Sequence, residues 1–99
     1  MFKIMGWADH SIEKLQKGET VVIKPTGNSM TGKIESGQEV TIEPVKLDDL
    51  QKGDIVLCKV KGNQYLHIIK AVDNGRFLIG NNKGYINGWT RTIYGKAKL

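Results

Sequence analysis

The spacing of apolar residues changes once along the chain, close to Gly18. Before it, Ile12 and Leu15 stand three apart, on one face of a helix. Asp9 or Ser11 is suited to cap its start, and Gly18, after Lys17, to end it. The pattern predicts a helix over about residues 9–17, too short to persist without a core beneath it. From residue 20 the period becomes two. Thr20–Lys24 is rich in β-branched residues and stops at Pro25, and Val40–Val45 alternates around Val40 and Ile42. Ile55–Val60 and Tyr65–Val72 are longer β runs separated by Lys61-Gly62-Asn63-Gln64, with Gly62-Asn63 as the expected hairpin turn. Asn74-Gly75 signals a second turn, into Phe77–Ile79, and Ile93–Ala97 is a further strand. The glycine-rich stretch Asn82–Trp89 is expected to be a long loop, with Trp89 closing the β core. Short strands after one helix predict a mainly β fold, a small coiled antiparallel sheet or barrel.

Composition narrows this picture. The 99 residues suit one domain, 1–99, with its β core over about 20–99. No apolar run approaches a membrane span, and the first residues lack the apolar stretch of a signal peptide. One cysteine, Cys58, excludes an internal disulfide and fits a reducing, cytoplasmic setting. The net charge is +5, but the lysines are spread singly, which argues against a nucleic-acid role for this segment alone. No zinc-ligand spacing is present, and neither metal nor cofactor is expected.

Four segments carry candidate chemistry. They are Gly27-Asn28-Ser29-Met30 with Ile34 and Gly37-Gln38-Glu39-Val40; Lys52-Gly53-Asp54-Ile55-Val56; Tyr65-Leu66-His67-Ile68-Ile69; and Gly80-Asn81-Asn82 followed by Ile93-Tyr94-Gly95-Lys96-Ala97. In order and spacing they resemble the boxes of the LexA/signal-peptidase family of serine peptidases. The resemblance implies that family's coiled β fold and a soluble, phage- or regulator-like member without membrane anchor or DNA-binding domain. It places Ser29 as nucleophile, with Gly27, Asn28 and Met30 around the oxyanion and substrate, and His67 as general base. An aspartate orients the histidine in His-type relatives; here Asn81 follows Gly80 as the candidate orienting residue, and Asn87 lies where a downstream acid would be sought. Asp54 and Asp73 are the other acids that could serve in space.

The chemistry of these residue types agrees. A serine hydroxyl is a weak nucleophile unless a positioned base takes its proton. His67 and Lys70 are three apart on one predicted strand, so they face opposite sides of the sheet and only one can reach Ser29. Histidine titrates near pH 6.5, whereas lysine must drop by about 3 pKa units to act as a neutral base at pH 7. The position that can carry an extra oxyanion hydroxyl in some relatives is Gly27, leaving backbone amides. An unbulged Lys61–Gln64 loop would set Cys58 opposite His67. Two functions follow as expectations: hydrolysis of an extended peptide through an acyl-enzyme, or a peptidase-like module that binds a peptide, protein or DNA-linked partner without turnover. Homo-oligomerisation is left open.

Overall fold

A computed structural model describes residues 7–25 and 33–98. Helix α1 (Trp7–Gln16) precedes seven strands: β1 (Val21–Ile23), β2 (Val40–Glu43), β3 (Ile55–Val60), β4 (Asn63–Asp73), β5 (Arg76–Gly80), β6 (Ile86–Thr90) and β7 (Thr92–Lys98). They form one antiparallel sheet in the order β1-β2-β7-β3-β4-β5-β6, which does not close into a barrel.

The helix starts earlier than its sequence signals, so Asp9 and Ser11 lie inside it rather than capping it. Its end follows the expected chemistry. Gly18 takes φ +84°, and the N–H groups of Gly18 and Glu19 donate to the carbonyls of Leu15 and Lys14, closing a Schellman motif. Leu15 docks where β7 carries Gly95. A Cβ there would stand 2.7 Å from the Glu43 carbonyl oxygen and 3.2 Å from Leu15 Cδ1, so only glycine lets helix and strands approach this closely.

The β3–β4 hairpin turns at Lys61-Gly62, both with positive φ, and Val60 pairs with Asn63. The expected Gly62-Asn63 turn is thereby displaced. A primed two-residue turn needs positive φ at both central positions, and Gly62 supplies one cheaply while Asn63 starts the next strand. The register moves by two residues: Cys58 pairs with Tyr65, and Val56, not Cys58, lies opposite His67. A two-residue shift preserves which side chains share a face. The second hairpin turns at Asn74-Gly75, as the sequence indicates.

Two apolar clusters lie on opposite faces of the β3–β4 ribbon. Ile55, Leu57, Leu66 and Ile68 meet Ile12, Leu15, Val40 and Ile42 on the helix side. Val56, Cys58, Val60, Tyr65 and Ile69 meet Leu50, Phe77 and Ile79 on the other. The expected 82–89 loop is in part strand β6. Trp89 pairs with Leu78, whose neighbours Phe77 and Ile79 point into the second cluster, so Trp89 faces away from that core. It is 41% exposed, with the Arg76 guanidinium 4.8 Å above its ring, and does not plug a barrel.

Candidate functional site

Central strand β4 presents Tyr65, His67 and Ile69 to the second cluster. His67 is 1% exposed and its ring stacks on that of Tyr65, with centroids 5.1 Å apart. A buried polar ring costs stability unless its nitrogens are hydrogen-bonded. Here Nδ1 lies 2.7 Å from Oδ1 of Asn87, itself buried. A carboxamide oxygen only accepts, so this pairing puts the proton on Nδ1 and leaves Nε2 as the ring's basic nitrogen. Burial pulls the pKa of His67 below its ordinary 6.5; the Asn87 bond opposes that shift and the Lys70 charge adds to it.

Asn87 reaches the ring through an irregularity in β6. Gly88 pairs with Ile79 and Ile86 with Gly80, so Asn87 is the extra residue of a β-bulge. Bulges re-aim side chains, and this one turns a polar residue inward from a strand whose neighbour Ile86 is exposed. The bulge depends on the preceding turn. Asn81 Oδ1 accepts from the N–H groups of Lys83 and Tyr85, and Asn81 N–H donates to the Tyr85 carbonyl. Gly80 has no room for a side chain, since a Cβ would stand 2.5 Å from the Tyr85 carbonyl oxygen.

The orienting role anticipated for Asn81 is therefore corrected. Its oxygen is occupied by its own turn, and Asn87 holds the imidazole. Neither acid considered as a substitute meets His67. Asp54 accepts from the Gln51 N–H and pairs with Lys96 at 3.4 Å, and Asp73 pairs with Arg76 at 2.9 Å. The Asp54–Lys96 pair joins the second motif box to the end of the fourth, so these two boxes meet as scaffold. Lys70 lies on the face opposite His67. Its Cε is 3.1 Å from where a Gly80 Cβ would stand, on the side of Ile68, which pairs with Gly80. Cys58 is fully buried, donates toward the Tyr65 carbonyl at 3.6 Å, and has its thiol pKa pushed far up by burial. Ser29, with Gly27, Asn28 and Met30, lies outside the described residues, as does its expected approach to His67.

The arrangement is thus an open antiparallel sheet that buries His67 with Nδ1 hydrogen-bonded to Asn87, leaving Nε2 as the ring nitrogen able to accept a proton. A family model described as Peptidase S24-like matches residues 5–89, and the chain belongs to that family. No curated protein and no solved structure matches it. Among the described residues, no helix is long and apolar enough to cross a membrane, and no cluster of His, Cys, Asp and Glu could hold a metal.

Proposed function

We propose that this domain is a serine peptidase in which Ser29 is the nucleophile and His67 the general base. The His67–Asn87 hydrogen bond carries the reading, because it fixes the tautomer that a serine's partner needs. Nε2 of His67 takes the proton from Ser29 Oγ as the oxygen attacks the peptide carbonyl. The oxyanion is assigned to backbone N–H donors of residues 27–30, that of Ser29 included. The imidazolium then protonates the leaving amine, and water hydrolyses the acyl-enzyme by the same proton path. The substrate is a peptide or protein segment in extended form, and the single buried cysteine suits a reducing cytoplasm.

One feature favours a second reading, a peptide-binding module without turnover. Asn87 offers an amide where His-type relatives use a carboxylate, so nothing in that contact neutralises an imidazolium. Labelling with a fluorophosphonate probe separates the two. Wild type labels and Ser29→Ala does not if the domain is a peptidase; equal absence of labelling in both, with the fold intact, supports the binding module.

A further inference from the structure

A groove of about 440 Å³ opens at the ends of β2, β3 and β7, lined by Lys33, Glu43, Asp54, Lys96 and Lys98 together with Ile55 and Ala97 of the helix-side cluster. Strand register relates it to the base. Glu43 pairs with Lys96, Lys96 with Val56, and Val56 with His67, so these four side chains form one row on one face of the sheet. Lys96 and His67 are two strands apart, about 10 Å. Lys33 ties the groove to the nucleophile as well: it follows Ser29 by four residues, a reach of at most about 14 Å.

Three ammonium groups line this groove against two carboxylates. Asp54 is held in place by the Gln51 N–H and Lys96. Glu43 and Lys98 are 3.9 Å apart, with their side chains 46% and 70% exposed. A pair this long and this open is held weakly, so Lys98 can change partners at little cost. Among the described residues, no carboxylate lies within ion-pair distance of Lys33. The chain's +5 charge adds a field that favours anionic ligands.

We propose that this groove is a subsite for an acidic side chain of the bound peptide, an aspartate or glutamate within about three residues of the bond placed at Ser29. It rests on the peptidase reading for its position relative to the cut, but the binding itself needs no turnover. A carboxylate entering the groove takes Lys33 and Lys98 as partners, while a lysine or arginine at that position meets like charge.

The test is a backbone-amide NMR titration of Ser29→Ala protein with acetyl-Ala-Ala-Glu-Ala-amide, and with the same peptide carrying Gln or Lys in place of Glu. The Glu peptide should shift the amides of Lys33, Asp54, Lys96 and Lys98, and bind about threefold or more tightly than the Gln peptide. Added salt should erase most of that difference. A Lys33→Glu, Lys98→Glu double variant whose spectrum otherwise overlays wild type should lose the preference. Equal binding of Glu and Gln peptides, shifts confined to other surfaces, or no shifts at all would overturn the subsite. Fluorophosphonate labelling of the wild-type protein is scored separately, so failure of the peptidase reading and failure of the subsite are distinguishable.

Discussion

The two faces of the β3–β4 ribbon are built from the same alternating strands and carry different burdens. On the helix side the buried cluster is built from aliphatic side chains, with Leu57 and Ile42 wholly enclosed. On the other face the same depth of burial includes His67 and Asn87 among Val56, Cys58, Phe77 and Ile79. An apolar core tolerates such a pair only when each member hydrogen-bonds. One face is therefore free to be optimised for packing, and the other holds a titratable ring away from water at the cost of some stability. Substitutions on the two faces should separate stability from chemistry.

The largest separation is expected from His67→Gln. Removing the base should lower fluorophosphonate labelling by about 10²–10⁴-fold, while Lys70→Ala, on the opposite face, leaves it nearly unchanged. A strong loss in Lys70→Ala with His67→Gln still labelling would reverse the assignment of the base. Next comes Leu57→Ala, which should cost about 2–5 kcal/mol in urea unfolding yet leave labelling per folded molecule intact. A proportionate loss of labelling would mean that the two faces are not separable.

Asn87 tests the contact between core and chemistry. Asn87→Ala removes a buried partner and should cost about 1–3 kcal/mol. Asn87→Asp places a carboxylate against Nδ1 and should raise the pKa of His67, moving the acid limb of labelling up by about 1 pH unit. In the wild type the sign runs the other way. Burial holds the folded-state pKa below the unfolded value near 6.5, so the folded protein binds fewer protons over that interval. The stabilising contribution of neutral His67 is full above pH 6.5 and is lost as pH falls through the folded pKa; the pH slopes of urea stability for wild type and His67→Gln should differ below pH 6.5 and converge above it. The smallest effect is expected at Cys58. Its buried thiol should alkylate only as the protein unfolds, and Cys58→Ala should change stability by about 1 kcal/mol while sparing labelling.

What could be read from residues alone follows from how local each signal is. The Gly18 helix end and the Asn74-Gly75 hairpin depend on φ preferences of single residues, and both are found where those residues stand. Strands β3 and β4 show in their β-branched runs. Strand β6 does not, because Asn87 and Gly88 are weak strand formers and only pairing with β5 makes them strand. Asn87 was obscured for the same reason: a bulge set by a turn at Asn81 is a product of register, not of composition. The available clue was an asparagine downstream of Gly80-Asn81, between Ile86 and Gly88, at the place where an acid is sought. The Cys58 placement differs because the turn sits one position earlier, which moves the register by two, keeps the face and changes the neighbour.

The claim on which the rest depends is that Asn87 holds a neutral, low-pKa imidazole with Nε2 basic. Long-range ¹H–¹⁵N NMR of the His67 ring reads this directly. At pH 7, Nδ1 should appear protonated and Nε2 unprotonated, titrating below pH 6.5, and Asn87→Ala should disturb that state. A ring protonated on Nε2, or titrating at or above 6.5, would contradict it.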